Sequence, residues 1–169
     1  MAERGTEKGF GPLVPDACRA LILGTYPSPK SFEAQFFYGH PQNRFWPLVA
    51  ALAGVEAPRT VAEKRALILD GRAALWDTLE SCRITGASDA SIRDPVPNNV
   101  AALVTEKGIT HVFCNGAASH RLYEKFHRPA TGIAALRLPS TSPANAAFSF
   151  ERLLEAWQPV AEFLSPPGD

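Results

Sequence analysis

Ala20-Leu21-Ile22-Leu23-Gly24-Thr25-Tyr26-Pro27-Ser28 is the stretch on which the reading of this chain turns. Four aliphatic residues ended by a glycine are the pattern of a short strand buried on both faces of a parallel sheet. The sequence continues Pro29-Lys30-Ser31-Phe32, then Phe36-Phe37-Tyr38-Gly39-His40-Pro41-Gln42-Asn43-Arg44-Phe45-Trp46, before helical apolar spacing resumes from Phe45 to Leu52. About twenty residues of aromatics, Pro, Gly and side-chain amides between a strand and a helix are uncommon in a compact domain and usually functional. The position is also where open α/β sheets bind ligands, just past the carboxyl end of a strand.

Outward from that stretch, strands and helices are expected to alternate. Residues 1–16 read as a frayed lead-in and 19–24 as the first strand. Asn43 is placed to cap a helix that Gly54 ends. Thr60 and Glu63 form a T-x-x-E capping box for a helix over 61–70, closed by Gly71. Residues 73–79 read as the second strand, although Ala-Leu-Trp-Asp-Thr-Leu also suits a helical turn. Residues 82–97, with Gly86, Pro95 and Pro97, are expected to be a polar loop. Asn98 or Asn99 caps a helix that reaches Lys107 and stops at Gly108. A third strand over 109–114, a helix over 117–126, a fourth strand over 134–138 and a turn over 139–143 follow. A terminal helix is expected over 144–164, with Pro159 kinking or splitting it. The fold expected is a single α/β domain over 17–164: a short, mostly parallel four-stranded sheet with helices on both faces, followed by a disordered tail over 165–169.

The totals narrow the function classes. The chain has 169 residues, 17 basic and 17 acidic, so its net charge is zero. That argues against a scaffold coating nucleic acid electrostatically, and leaves open an enzyme touching a few phosphates. No apolar run approaches the roughly eighteen residues a membrane span needs. The first nine residues are polar and mixed in charge, without the apolar centre of a signal peptide, so a cytoplasmic protein is expected. Cys18, Cys82 and Cys114 are too few and too scattered for a metal site or a disulfide framework. No metal and no cofactor is expected.

Several groups are candidates for chemistry. In Tyr38-Gly39-His40-Pro41-Gln42-Asn43-Arg44-Phe45-Trp46, the bland reading makes Asn43 a cap and Phe45 and Trp46 core. The functional one notes that Tyr26, Phe37, Tyr38, His40, Gln42, Asn43 and Phe45 bring rings and amides to one strand end. Rings stack on planar heterocycles and amides read their edges. In Leu138-Pro139-Ser140-Thr141-Ser142-Pro143-Ala144-Asn145, Ser142 suits an N-cap and Pro143 the first helical position. The same geometry is a small phosphate site at a helix N-terminus. Asp77, in Trp76-Asp77-Thr78, is either a turn residue or a pocket carboxylate. Asn115-Gly116 reads as a turn and cap. Arg121, Lys125, His127 and Arg128 read as a solvated helix face. Cys114 with His111 or His120 is a weak nucleophile pair. No G-x-G-x-x-G, P-loop or G-x-S-x-G is present.

Taken in order, Gly24-Thr25-Tyr26-Pro27-Ser28, then Tyr38-Gly39-His40-Pro41-Gln42-Asn43-Arg44-Phe45-Trp46, then Leu138 to Asn145 resemble the uracil-DNA glycosylase superfamily, in particular its hypoxanthine-DNA glycosylase branch, often counted as the sixth family. The resemblance spans roughly Gly9 to Trp157. Asn-Arg-Phe-Trp alone is also similar to the mismatch-specific uracil glycosylases. The resemblance implies a three-layer α/β/α fold with a short parallel sheet. It implies that residues 24–28 form the water-activating motif, with Gly24, Thr25 and Tyr26 against the base and Ser28 near DNA. Tyr26 stands where several members hold Asp or Asn, and Asn43 looks like the substitute catalytic group. By the same resemblance Phe45 stacks on the extruded base, Asp77 reads its edge, and Ser140, Thr141, Ser142, Pro143 and Asn145 grip the DNA backbone.

What the resemblance implies is a DNA repair glycosylase. It would be a monomer acting on DNA with a deaminated base, most readily hypoxanthine, and would leave an abasic site. Uracil opposite guanine is the alternative substrate, and a catalytically silent lesion-binding module the alternative class. No lysine falls in residues 24–28 or 140–145, so base removal without a Schiff base is expected.

Overall fold

The computed structural model describes residues 3–5 and 7–165. In chain order the elements are β1 (Glu3–Gly5), β2 (Ala20–Gly24), α1 (Pro29–Ala34), α2 (Phe45–Ala53), α3 (Val61–Leu69), β3 (Ala73–Asp77), β4 (Leu79–Thr85) and β5 (Ser88–Pro97). They continue with α4 (Val100–Lys107), β6 (His111–Asn115), α5 (Ala117–Phe126), α6 (Arg128–Thr131), β7 (Ala135–Leu138), α7 (Phe150–Ala156) and α8 (Gln158–Ala161), ending in a 3-10 turn over Glu162–Leu164. The four expected strands form one sheet in the order β3-β2-β6-β7, every pairing parallel. Register sets the functional edge. Gly24 lies opposite Asp77, Leu23 opposite Cys114, and Asn115 opposite Leu138, so four strands end together.

Alternation along β2 shows why this is a three-layer α/β/α fold. Ala20 and Ile22 pack on one face with Leu48 and Val49 of α2, Ile68 of α3, Leu153 of α7 and Val160 of α8. Leu21 and Leu23 pack on the other with Val100, Leu103 and Val104 of α4 and Tyr123 of α5. Leu21, Ile22 and Leu23 are fully buried, each burial contributing about 1.5–3 kcal/mol. Local signals hold these helices in place. Thr60 accepts a hydrogen bond from the Glu63 amide, Asn99 from the Ala102 amide, and Gly54 and Gly108 end α2 and α4 in the left-handed conformation. Among the described residues no helix is long and apolar enough to cross a membrane.

Four expectations are corrected. The polar loop over 82–97 is a β-hairpin, β4-β5, in a three-stranded antiparallel sheet of order β1-β4-β5. Repeated register shifts along the pair blur its alternation, and Pro95 and Pro97 are accommodated because β5 is an edge strand. The lead-in is not frayed throughout: β1 pairs with β4, and Leu13 is buried and exchanges two backbone bonds of 2.9 Å with Leu75. Gly5 makes the first contact possible, since a Cβ there would lie 1.8 Å from the Cys82 carbonyl oxygen. The loop after β2 contains α1, capped by Ser28 with Pro29 in its first turn. The terminal helix begins at Phe150 rather than near 144, because Ser149 is its cap, and Pro159 falls in the first turn of α8. Of the expected disordered tail, residues 166–169 lie outside the described residues.

Candidate active site

Where β2, β3, β6 and β7 end, an open cleft gathers the loops that follow them. It is lined by Gly24, Thr25, Tyr26 and Ser28 after β2, by Tyr38, His40 and Asn43 further along, by Asp77, by Asn115, and by Ser140, Thr141 and Ser142 after β7. The two distant loops of the sequence reading therefore meet above one sheet edge. Pro143 and Asn145 stand outside the lining.

Arg44 is what joins the two loops. Its guanidinium donates to the carbonyls of Phe148, of Asn145 at 3.0 Å and of Ser142 at 3.3 Å. Its own amide donates to the Thr141 carbonyl at 3.1 Å. Asn115 adds a second tie: its amide nitrogen donates to the Thr141 hydroxyl at 3.0 Å and its oxygen accepts from the Thr141 amide at 3.1 Å. Asn115 is thus more than a turn residue, and Gly116 takes the N-cap position of α5. A bidentate, buried pairing of this kind fixes a loop as a ladder fixes a strand.

The loop after β7 is not the helix start expected from Ser142 and Pro143. Ser142 to Asn145 is a turn closed by a 3.0 Å bond from the Asn145 amide to the Ser142 carbonyl. The Ser142 amide donates to the Ser140 hydroxyl, and the Ala144 amide to the Ser142 hydroxyl, both at 3.1 Å. With the Thr141 amide held by Asn115, the backbone donors of a phosphate cradle are already engaged within the chain.

Asn43 precedes α2 by two residues, with Arg44 at the N-cap position. Its side-chain oxygen accepts from the Phe45 amide at 2.9 Å, and its amide nitrogen makes no hydrogen bond among the described residues. That bond holds the side chain of a residue that lines the cavity and leaves its donor end unused.

The floor is built around Gly24. A Cβ at this position would lie 2.5 Å from a carboxylate oxygen of Asp77 and 2.8 Å from the Tyr38 hydroxyl, so only glycine admits both groups. Asp77 is buried, 6% exposed. Its carboxylate accepts no hydrogen bond among the described residues, and burial alone pushes it up to about 7. The Tyr38 hydroxyl is buried without a hydrogen-bond partner. Burial, and then the charge of Asp77, raise it well above the usual phenol value; the nearby Asn115 amide lowers it slightly without reaching hydrogen-bond geometry. Two unpartnered polar groups at the bottom of one cavity are what a ligand edge would satisfy.

Phe45 does not line the cavity. It is fully buried, and the Tyr38 ring covers it, stacked at 4.1 Å and 18°. Tyr38, held at a positive φ of 53° beside the tightly packed Gly39, lines the cavity in its place, together with Phe10, Tyr26 and Phe37. Positive φ is rare for an aromatic residue, and such strain gathers at functional sites. The density of aromatics in the sequence pointed to this region without saying which ring faces out.

Tyr26 sits beside Phe32 with its hydroxyl donating to the Glu7 carbonyl at 2.6 Å, and burial pushes it up to about 12. Ser28 caps α1 by accepting from the Ser31 amide at 3.1 Å. Cys114 is fully buried and pushed up to about 12, so it offers no thiolate nucleophile at neutral pH. His127, expected on a solvated face, is buried with Nε2 2.8 Å from the Thr78 carbonyl. Arg4, Ala87 and Asp89 also line the cavity, brought there by the antiparallel sheet. Arg4 arrives by pairing across some eighty residues, and Ala87 and Asp89 by the β4-β5 hairpin that was expected to be a loop.

No protein-family model matches the chain. It is 32% identical over 155 residues to the hypoxanthine DNA glycosylase of Methanosarcina acetivorans, covering 91% of this chain and 97% of the relative. It is 30% identical over 141 residues to the hypoxanthine DNA glycosylase of Methanosarcina barkeri, covering 82% and 88%. Among solved structures it is similar to the solution NMR structure of a "putative Uracil DNA glycosylase" from M. acetivorans, with a TM-score of 0.79, 30% identity and coverage of 94% and 98%. Alignment over nearly the whole of both chains, on a shared fold, leads to one assignment: the chain belongs to the hypoxanthine DNA glycosylase family.

Proposed function

We propose that this chain removes hypoxanthine from DNA. It hydrolyses the bond between deoxyribose C1′ and purine N9 and leaves an abasic site. The observation that carries the reading is the pair of unpartnered polar groups, Asp77 and the Tyr38 hydroxyl, under a cavity that Asn43 and Ser140 also line. A base in a duplex is unreachable, so the nucleotide is extruded, at a cost of a few kcal/mol that a poorly pairing lesion reduces.

The purine stacks on the Tyr38 ring, with Phe45 as rigid backing. Asp77 takes its Watson–Crick edge: a protonated carboxyl accepts from N1–H and donates to O6. Gly24 and Thr25 let the base approach the strand end, and Tyr26 closes the side. As the C1′–N9 bond breaks, its electron pair leaves with the base and positive charge builds on the sugar, as in a glycosidase. The Asn43 amide holds the water that adds to C1′. An amide is a poor base, so most of the acceleration comes from positioned dipoles around the departing base and the sugar cation. The hydroxyls of Ser28, Ser140 and Ser142 face the backbone of the extruded nucleotide. Thr141, Pro143 and Asn145 shape that loop.

The cavity lining contains no lysine, and the enzyme releases the base without forming a Schiff base. One domain acts as a monomer on cytoplasmic DNA; of the exposed large hydrophobic residues among those described, Val61 and Leu69 lie at opposite ends of α3, Val96 on β5, Leu136 on β7 and Val55 in the loop after α2.

Chromatography of free bases released from duplexes carrying deoxyinosine or deoxyuridine tests the reading. Hypoxanthine release is expected. Uracil offers the same N–H and C=O edge, so its release from the second duplex would add a substrate. Tight binding of the inosine duplex with no free base would replace the enzyme by a lesion-binding module.

A further inference from the structure

In the loop after β7 the amides of Thr141, Ser142, Ala144 and Asn145 are engaged internally, which leaves open what neutralises a phosphate at the cavity. Among the lining residues, Arg4 is the one permanent cation. Its position comes from the antiparallel sheet: Arg4 in β1 pairs with Ile84 in β4, beside the hairpin turn. The side chain is held on three sides. Nε donates to the Gly86 carbonyl at 2.7 Å and Nη2 to the Pro27 carbonyl at 3.0 Å. The guanidinium lies 5.6 Å from the Tyr26 ring centre and 5.9 Å from that of Phe32. Nη1 makes no hydrogen bond among the described residues, and no carboxylate lies within ion-pairing distance of Arg4 among them; Glu7 acts on it only from further off.

We propose that Arg4 is a DNA-phosphate contact, presenting Nη1 to a phosphodiester beside the extruded nucleotide, on the side of the cavity built by β1 and the β4-β5 hairpin. The chemistry fits. A guanidinium is planar, always charged and matched to phosphate oxygens. Two carbonyls and two rings fix this one before DNA arrives, so little side-chain entropy is lost on contact. Partial burial has already stripped some of its water, which strengthens a charge-assisted bond at that spot. The antiparallel sheet then has a role that the parallel sheet cannot fill, because the carboxyl ends of β2, β3, β6 and β7 bring no arginine or lysine to the cavity. The inference rests on the reading of DNA as substrate.

Arg4→Gln and Arg4→Lys, compared with the parent chain on a deoxyinosine duplex, test it. KM and kcat are measured between about 50 and 200 mM salt, a range over which phosphate contacts dominate the response. For Arg4→Gln a raised KM, an unchanged kcat and a log–log salt slope lower by about one are expected. Arg4→Lys keeps the charge but not the fork, so its slope should stay at the parent value while KM rises less. An Arg4→Gln slope equal to the parent's overturns the proposal and leaves Arg4 as a latch between Gly86 and Pro27. If Arg4→Gln does not fold, Arg4→Lys decides: a latch alone predicts lower thermal stability with unchanged KM. A parent chain that releases no hypoxanthine defeats the functional reading instead. The slope is then read from fluorescence anisotropy of the same duplex, where the Arg4 effect stands or falls separately.

Discussion

Arg44 and Arg4 each tie one side of the cavity together through backbone carbonyls, and the two differ in what they have left over. Arg44 spends its guanidinium on three carbonyls of the loop after β7, and its amide on a fourth. Arg4 binds two carbonyls, one on the hairpin and one after β2, lines the cavity, and has Nη1 without a hydrogen bond among the described residues. A guanidinium has five donors in a fixed fork. One that uses most of them inside the chain sets a shape, and one that keeps some back can hold a ligand. Under the proposed function, the Arg44 side supplies a shape fixed before DNA arrives, and the Arg4 side supplies a donor held for a phosphate.

The largest effect expected from that division is at Asn43. Asn43→Ala should lower kcat about 100-fold or more, the usual result of removing one positioned polar group from a charged transition state, while duplex binding persists. Single-turnover base release alongside anisotropy separates the two. An active Asn43→Ala variant would move the chemistry off this side of the cavity.

Next comes the tie itself. Arg44→Met leaves the carbonyls of Ser142, Asn145 and Phe148 without their donor. A loss of about 2 kcal/mol in stability is expected from bonds to a charged group, with base release more than tenfold slower at subsaturating DNA. If Arg44→Met keeps parent activity, the loop holds its shape through the Asn115–Thr141 pair alone, and the contrast between the two arginines loses its first half.

The same contrast shows how far the sequence could be read. The four parallel strands, the helices after Thr60 and Asn99 and the stops at Gly54 and Gly108 were legible because each is encoded by neighbours: an apolar run, a cap, a glycine. Asn43, Asp77 and Ser140 stood out as candidates for their place at or after expected strand ends, and the family resemblance implied their roles. Arg4 did not, since its place depends on Gly5 passing close to the Cys82 carbonyl and on a hairpin whose alternation is broken by register shifts. Phe45 and Tyr38 show the limit within a motif. Seven residues apart in one aromatic cluster, they stack on each other, and only the three-dimensional order of the stack says which ring is covered. Phe45→Ala should accordingly destabilise the fold by about 3–5 kcal/mol as a core truncation, and slow base capture only through that loss.

Asp77 probes the floor between the two sides. Its carboxyl is held at about 7 by burial, whereas in the unfolded chain it would lose its proton near 3.9. Between those values the unfolded chain binds fewer protons than the folded one, so stability falls as pH rises from about 4 to about 7 and levels above it. If the protonated form reads the base, kcat/KM should decline above pH 7, by about tenfold per unit at the steepest. Asp77→Asn, which keeps a donor and an acceptor without the proton equilibrium, should flatten both dependences and retain base release. A parent profile flat to pH 9 would assign the ionised carboxylate, which favours bases offering two donors over hypoxanthine.

The smallest expected effect is at the Tyr38 hydroxyl, and its sign is informative. A buried hydroxyl without a partner costs about 1–3 kcal/mol relative to one that is bonded. In the free protein Tyr38→Phe removes that group and keeps the ring on Phe45, so thermal unfolding should show a gain of about 1 kcal/mol. On the inosine duplex the same variant should bind more weakly if the hydroxyl gains its partner from the extruded base or the water beside it. Gain in the free state and loss in the complex together would mark the hydroxyl as held in reserve for the ligand. An increase in both would make it a packing defect, and the site's selectivity would then rest on Asp77 alone.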